Sequence, residues 1–278
     1  METKPPDSQV DGGFVMGTRA VMALSGGMDS TSLLLRLLRD GHNVTCVSYE
    51  YGQKHSIEIE RAKENIQRLQ SKGLVVKHKI IDLSSAMGTF HSALTKQNYR
   101  VPEGHYEEIQ MKQTVVPNRN AIFSSILYGM ALSISQSEDV DVIVALGVHS
   151  GDHAIYPDCR PEFYKALSDA FSIGNWESER VTFELPYISG DKSTILRDAL
   201  QSCEVLDLDF DTIMGSTITS YNPDRLGRSS GKSGSDVERI LAFYDIGRID
   251  PIEYVDSWEK VLANALKLKE EISHEHHR

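Results

Sequence analysis

Six consecutive residues near the start of the chain, Ser25-Gly26-Gly27-Met28-Asp29-Ser30, have the composition of a phosphate-binding loop. Two adjacent glycines let the backbone approach an anion closely, and the N–H groups of the turn form a cradle for its oxygens. The hydroxyls of Ser25, Ser30 and Thr31 are further donors, and Asp29 can hold Mg²⁺ on the phosphates or cap the next helix. The loop is neither a Walker sequence nor Gly-x-Gly-x-x-Gly. We therefore predict a phosphate site here; the alternative is a simple turn in which Asp29 or Ser30 caps the helix.

The segments around this loop predict the strand-to-helix turn that such a site needs. Residues 19–24 are apolar and predict a buried strand, and residues 29–39 are rich in leucine and predict a helix packed on a sheet, ending near Gly41. Further strands are predicted at residues 43–49, 74–81, 140–147 and 181–186, and further helices at residues 56–70, 118–135, 161–173, 192–202, 235–244 and 258–277. This alternation predicts a parallel sheet with right-handed crossovers. Residues 84–113 show no clear period and are predicted to be an irregular insertion with some helix.

The bulk composition limits the classes of function. The 278 residues allow one large α/β domain with a small appendage, and the net charge of −11 argues against broad binding of nucleic acid. Three widely separated cysteines, Cys46, Cys159 and Cys203, suit a reducing compartment and no disulfide framework. No apolar run approaches the roughly 20 residues of a membrane span. Residues 1–17 are polar and are expected to be a flexible leader, and the protein is expected to be cytoplasmic.

Four more motifs occur in order along the chain. They are Tyr49-Glu50-Tyr51-Gly52-Gln53-Lys54-His55, Val116-Pro117-Asn118-Arg119-Asn120, Gly147-Val148-His149 and Tyr156-Pro157-Asp158-Cys159-Arg160-Pro161-Glu162-Phe163. The phosphate loop resembles that of N-type ATP pyrophosphatases. The full set of motifs, in this order, resembles the 7-cyano-7-deazaguanine synthase family of queuosine-precursor synthesis, over about residues 19–254.

This resemblance implies both a fold and a reaction. The fold is a Rossmann-like (adenine nucleotide alpha hydrolase-like) parallel sheet flanked by helices, with an ATP-pyrophosphatase domain at residues 18–215 and a small helical and loop region at 216–278. The reaction takes 7-carboxy-7-deazaguanine, ATP with Mg²⁺, and ammonia. The carboxylate is adenylated, ammonia gives the amide, and a second activation with dehydration gives the nitrile. The resemblance also implies a homodimer, and we expect free ammonia as the nitrogen source.

The motif positions also assign candidate site residues. Ligands bind at the carboxyl ends of strands in open α/β sheets, so the loops after successive strands should converge on one crevice. Three residues are predicted to be catalytic: Asp29, Arg119, which could neutralise phosphate or carboxylate charge, and Lys192, which matches a lysine of the family and is assigned to charge stabilisation on the pyrophosphate side. The predicted nucleotide-binding residues are Ser25, Gly26, Gly27, Met28, Asp29, Ser30, Thr31 and Gly147. The predicted substrate-binding residues are Tyr51, Gln53, His149, Tyr156, Asp158, Arg160, Glu162 and Phe163.

Several of these residues also have ordinary structural interpretations. Asp158 is a candidate acceptor for a guanine-like edge, but it could instead cap the helix that follows it. Phe163 or Tyr156 could stack on the base, although Phe163 is as well explained as a core residue. The remaining alternatives are a surface ion pair for Arg119, a structural role for His149 and a solvated helix start for Lys192.

The chain departs from the family pattern near its C-terminus, where the family carries four zinc-binding cysteines. The matching positions are Ser220, Ser230, Ser233 and Asp236. Zinc favours thiolate and imidazole ligands, so no structural zinc is expected. The loop could be held by hydrogen bonds in a natural zinc-free branch, which we favour, or the cysteines could have been removed by design. The reaction could also stop at the amide or use another amine, or the protein could bind nucleotide without turnover.

Overall fold

The centre of the fold is a five-stranded parallel sheet. The computed structural model describes residues 18–52, 57–90, 115–152, 156–219, 224 and 227–275. The strands are β1 (Arg19–Ala23), β2 (Asn43–Glu50), β3 (Val76–Asp82), β4 (Val142–Ala145) and β5 (Val181–Glu184). Their order in the sheet is β3-β2-β1-β4-β5, and every pairing is parallel. The predicted α/β class and parallel sheet are confirmed.

Helices cover both faces of this sheet. In chain order they are α1 (Met28–Arg39), α2 (Ile57–Ser71), α3 (Ser84–Met87), α4 (Arg119–Glu138), α5 (Pro161–Gly174), α6 (Lys192–Val205), α7 (Phe210–Gly215), α8 (Gly234–Asp245) and α9 (Trp258–Glu275). Within these described ranges, no helix has the length and apolar character needed to cross a membrane.

The two faces of the sheet form two apolar cores because side chains alternate along each strand. In β1, Val21 packs into the core beneath α4, whereas Ala20 and Met22 pack into the core that contains the leucines of α1. All three residues are at most 1% exposed. A strand buried on both faces reads as a continuous apolar run, which is why residues 19–24 were predictable from composition alone.

The strand order places a topological switch point beside β1. The chain moves outward from β1 to β2 and β3, and then returns to the other side of β1 to add β4 and β5. Crossovers on opposite sides leave a crevice outside the carboxyl ends of β1 and β4. The Ser25–Ser30 loop follows β1 and Gly147 follows β4, so the topology brings these two segments together.

Two elements differ from the prediction. The fourth strand ends at Ala145, two residues before Gly147, because the chain there passes over the first turn of α1. A Cβ atom at Gly147 would lie 3.2 Å from the Asp29 carbonyl oxygen, so the approach is close. Helix α7 was not predicted: it has only six residues and begins with an Asp209 cap, whose carboxylate accepts a bond from Thr212 N at 2.7 Å.

The C-terminal helices share a core with the sheet domain. Phe243 of α8 is fully buried in the same cluster as the leucines of α1 and as Ile213 of α7. Arg239, also on α8, is 0% exposed and forms a two-point ion pair with Asp250, at 2.6 and 2.9 Å. Its remaining N–H groups reach the segment that follows α7, which ties α8 to the neighbourhood of the phosphate loop.

Candidate nucleotide and substrate site

The loop between β1 and α1 has the local structure of an anion site. Gly26 adopts φ +84°, and its position has no room for a side chain, because a Cβ atom would lie 2.1 Å from the Glu58 carbonyl oxygen. Ser25 Oγ and Ser30 Oγ lie 3.0 Å apart across the loop. The N-cap of α1 is Gly27, which provides no side-chain hydrogen bond to the first turn. Backbone N–H groups at this helix N-terminus are therefore available for an anion.

A buried lysine faces this loop from the start of α6. Lys192 Nζ lies 2.8 Å from Asp29 Oδ2 and 3.1 Å from His149 Nε2. The Lys192 side chain is 8% exposed and that of His149 is 2% exposed. Glu238 of α8 adds a second carboxylate, 3.7 Å from Lys192 Nζ. Lys192 is therefore a buried residue paired with the phosphate loop, and the alternative of a solvated helix start is wrong.

Asp29 has the geometry of a carboxylate that holds a cation on phosphates. Burial alone would raise the pKa of Asp29, but the neighbouring charges of Lys192 and His149 keep it below its usual value. The group is therefore ionised. Its Oδ2 atom bonds Lys192, whereas Oδ1 is buried and has no hydrogen-bond partner among the described residues. Mg²⁺ is commonly held by one or two carboxylates together with substrate phosphates. The Asp29 oxygen that has no hydrogen-bond partner fits this role.

A cavity of about 240 Å³ extends from the phosphate loop along the carboxyl ends of the strands. Nine of the predicted site residues line it: Ser25, Gly27, Met28, Asp29, Ser30, Tyr51, Arg119, Gly147 and Lys192. They come from β1, β2, α4, β4 and α6 or the loops beside them. The prediction that the loops after β1, β2 and β4 converge on one crevice is confirmed.

One part of the cavity wall carries aromatic rings. Phe123 of α4 stacks on Tyr49 with ring centroids 4.0 Å apart and planes 9° apart, and it meets Tyr51 edge-on at 5.6 Å. All three residues line the cavity. Arg119 lies over the Tyr156 ring, 5.7 Å from its centroid. The aromatic residues on the cavity wall are therefore Tyr49, Tyr51 and Phe123, and not the predicted stacking residues Phe163 and Tyr156.

Other predicted residues lie behind this wall or away from it. Asp158 Oδ2 accepts a bond from Asn120 N at 3.2 Å, so its carboxylate caps the first turn of α4. Phe163 packs in the core beneath α4, with its ring 5.1 Å from that of Tyr164. Arg160 and Glu162 are exposed. These positions do not line the cavity, and Gln53 falls outside the described residues.

Four other predicted residues support the cavity from outside its lining. Gly26 shapes the phosphate loop, and its carbonyl accepts a bond from Ile218 N at 3.1 Å. Thr31 is 1% exposed and lies one turn into α1. His149 contacts Lys192, and the Arg119 guanidinium lies over the Tyr156 ring.

The region that matches the family's zinc site is occupied by hydrogen bonds. Ser233 and Asp236 form a reciprocal capping box at the start of α8, with Asp236 N to Ser233 Oγ at 3.2 Å and Ser233 N to Asp236 Oδ2 at 3.3 Å. Ser235 Oγ donates to Thr219 O at 3.0 Å, which joins this helix start to the cavity wall. Ser220 falls outside the described residues. Among the residues that are described, no group of three His, Cys, Asp or Glu side chains could hold a metal ion.

Several residues that shape the site were not predicted from the sequence. Glu58, Asn120, Phe123 and Thr219 line the cavity, and Glu238 contacts Lys192. A sequence signal existed for three of them: Asn120 belongs to a recognised motif, Phe123 lies three residues after that motif, and Glu58 lies three residues after the motif that ends at His55. Thr219 and Glu238 belong to the distant C-terminal region, and only the packing of α8 brings them close.

Comparisons with known proteins agree with this geometry. The family profile described as queuosine biosynthesis protein QueC matches residues 19–247. A 7-cyano-7-deazaguanine synthase from Alteromonas mediterranea is 42% identical over 86% of this chain and 100% of its own length. The 7-cyano-7-deazaguanine synthase 1 from Colwellia psychrerythraea is 41% identical over 86% and 100%, and the synthase from Hahella chejuensis is 42% identical over 85% and 93%. A phosphate loop, an opposed buried lysine and an aromatic cavity thus occur in a chain whose residues 19–247 match this family, and the protein belongs to the QueC family of queuosine biosynthesis proteins.

Proposed function

We propose that this protein uses ATP to activate the carboxylate of 7-carboxy-7-deazaguanine and converts it with ammonia into 7-cyano-7-deazaguanine. The observation that carries the proposal is the shared cavity, in which the phosphate loop and Lys192 meet Arg119 and the aromatic rings of Tyr51 and Phe123. Phosphate-binding and base-binding groups therefore face the same space. The curated relatives named as 7-cyano-7-deazaguanine synthases support this substrate.

The chain's own groups have distinct roles in the first step. The Ser25–Ser30 loop and the N-terminus of α1 bind the phosphates, and Lys192 stabilises the negative charge that develops on the leaving pyrophosphate. Arg119 neutralises the substrate carboxylate, so that its oxygen can approach the α-phosphorus. Asp29 Oδ1 would hold Mg²⁺, which supplies charge neutralisation on the phosphates when it is bound.

The chemistry balances with two molecules of ATP. A carboxylate oxygen attacks the α-phosphorus and releases pyrophosphate, which leaves an acyl adenylate. Ammonia attacks the acyl carbon, AMP leaves with the former carboxylate oxygen, and one proton is lost to give the amide. The amide oxygen is then adenylated in the same way with release of pyrophosphate, and loss of AMP and of both N–H protons gives the nitrile. For each nitrile formed, the two oxygens of the original carboxylate therefore end on two molecules of AMP.

We further propose that the enzyme works without a structural zinc ion and as a dimer of two copies. The capping box of Ser233 and Asp236 supports the first point, because the side chains at two of the four family positions already satisfy the start of α8. Elemental analysis of the purified protein tests for zinc, and light scattering gives the mass in solution. The net charge of −11 supports small-molecule substrates rather than nucleic acid.

The direct test uses substrate labelled with ¹⁸O in both carboxylate oxygens. The protein is incubated with this acid, ATP, Mg²⁺ and an ammonium salt, and the products are weighed by mass spectrometry. We expect unlabelled nitrile and two molecules of ¹⁸O-labelled AMP for each nitrile. A Lys192→Ala variant should lose AMP formation, whereas Lys165→Ala, which changes a side chain that is 78% exposed on α5, should not.

The other products would identify the alternative reactions. Amide with one labelled AMP would indicate that the enzyme stops after the first activation. A conjugate formed only when another amine is added would identify a different acyl acceptor. Binding of ATP without any AMP formation would contradict the proposal and would favour a non-catalytic nucleotide-binding protein.

A further inference from the structure

Glu58 places a carboxylate beside the aromatic rings of the cavity wall. It lies in the first turn of α2 and lines the cavity together with Tyr51, Arg119 and Phe123. Its backbone is in close contact with the phosphate loop, because any Cβ at Gly26 would lie 2.1 Å from the Glu58 carbonyl oxygen. The first turn of α2, which carries this carboxylate, therefore packs directly against the phosphate loop.

This carboxylate is largely shielded from water. Burial raises the pKa of Glu58 to about 7, an effect that the nearby Arg119 guanidinium partly opposes. Burial also raises the pKa of Tyr51, and the negative charge of Glu58 adds to this increase. Glu58 and Tyr51 thus lie close to one another and share Arg119 as their neighbouring cation. A desolvated carboxylate gains most from a ligand that donates hydrogen bonds to it.

Flat aromatic rings beside a carboxylate suit a particular kind of ligand. The rings of Tyr51 and Phe123 can contact the faces of a planar heterocycle, and a carboxylate can accept two parallel hydrogen bonds from adjacent N–H groups on its edge. The deazaguanine base has such an edge, formed by its ring N–H and its 2-amino group. The adenine base of ATP has one amino donor beside a ring acceptor and does not match a carboxylate in this way.

We propose that Glu58 is the specificity residue that accepts two hydrogen bonds from the amino–imino edge of the deazaguanine substrate. Asp158, the acidic residue predicted for this task, instead bonds the backbone of Asn120. The inference rests on the proposed function and identifies how its substrate is recognised. It also orients the substrate, because anchoring this edge directs the opposite side of the base, with its 7-carboxylate, toward the rest of the cavity.

The test measures KM for each substrate separately in Glu58→Gln. The amide keeps the size of the side chain but offers one acceptor and one donor, so that one substrate N–H meets an N–H. We expect KM for 7-carboxy-7-deazaguanine to rise about 10–100-fold, which is the effect of losing one hydrogen bond to a charged group. KM for ATP should stay within about twofold of the wild-type value. Glu60→Gln is the matched control, since Glu60 lies on the same helix but is 62% exposed and pairs with Lys63.

A substrate analogue without the 2-amino group gives a second, independent measurement. Wild-type protein should bind this analogue at least about 10-fold more weakly than the natural acid, and Glu58→Gln should discriminate between the two much less. Calorimetric binding of each acid makes the comparison without turnover, and thermal unfolding shows whether the variant is folded.

Three results would overturn the inference. The first is an unchanged KM for the acid in folded Glu58→Gln, and the second is equal discrimination by the variant and the wild type. The third is a rise in KM for ATP alone, which would assign Glu58 to the ribose hydroxyls. Failure of the proposed function looks different, because wild-type protein would then neither bind nor consume the acid.

Discussion

Removal of the Arg239 guanidinium is expected to destabilise the protein strongly. The side chains of Arg239 and Asp250 are both 0% exposed, and they share two hydrogen bonds at 2.6 and 2.9 Å. Arg239 also donates to Thr217 Oγ1 at 2.7 Å and to Met214 O at 3.1 Å. In Arg239→Met the Asp250 carboxylate would remain buried without its cation, and these two acceptors would lose a donor.

The magnitude follows from this burial. Removal of one partner of a buried ion pair costs about 3–5 kcal/mol, a large share of the roughly 5–15 kcal/mol that holds a typical domain folded. At roughly 2–4 °C per kcal/mol for a chain of this size class, the midpoint of thermal unfolding should fall by roughly 6–20 °C. Urea unfolding followed by circular dichroism should show the same loss as a lower midpoint.

Arg248→Met provides a matched control. Arg248 also makes a two-point contact with an aspartate, Asp211, at 2.9 Å for both oxygens, but its side chain is 37% exposed and that of Asp211 is 52% exposed. An exposed pair of this kind contributes about 0–1 kcal/mol, so this variant should unfold nearly like wild type.

The comparison separates burial from the ion pair itself. Equal midpoints for the Arg239 and Arg248 variants would refute the reasoning, because both variants lose the same type of contact. The Arg239 variant should also bind ATP more weakly, since Arg239 anchors the segment that leads to Ile218, whose N–H bonds the Gly26 carbonyl at 3.1 Å. Calorimetric titration with ATP below the unfolding range measures this effect.

Three further predictions concern the site. Lys192→Ala should lower the rate of pyrophosphate release about 10²–10³-fold in single-turnover assays, because the developing charge loses a buried cation; a loss below threefold would exclude that role. Gly26→Ala should weaken ATP binding and lower the thermal midpoint, since its Cβ would lie 2.1 Å from a carbonyl oxygen. Gly73 has a similar φ of +81° but lies in open space, so Gly73→Ala should show only the smaller cost of the strained backbone. Glu58→Gln should be more stable than wild type at pH 8 but not at pH 4. Folding raises the pKa of Glu58 from 4.5 to about 7. The stability contributed by the neutral acid is therefore complete at low pH and is lost as pH rises through 7. A pH-independent difference between the melting curves would contradict this assignment.

Much of the fold was predictable because local physics and tertiary structure agreed. The continuous apolar run at residues 19–24 followed by two glycines specifies a buried strand and a tight turn, and Gly26 does adopt the φ of +84° that the turn requires. The helix α1 was equally clear, because its leucines face a core on more than one side. Parallel strands then place the loops that follow them at one edge, which is why the loops of Asp29, Tyr51 and Gly147 were predictable as parts of one cavity.

The sequence by itself determined the phosphate loop, the parallel sheet and the family, because each depends on short segments whose residue types have few alternatives. Only the tertiary structure decided which polar groups face the cavity. Asp158 and Glu58 are both carboxylates near recognised motifs, yet one caps α4 and the other lines the cavity. Glu238 reaches Lys192 because α8 packs beside α6, a contact between residues 46 positions apart in the chain. Side-chain direction depends on how helices pack across the sheet, and that packing is a property of the whole chain rather than of any motif.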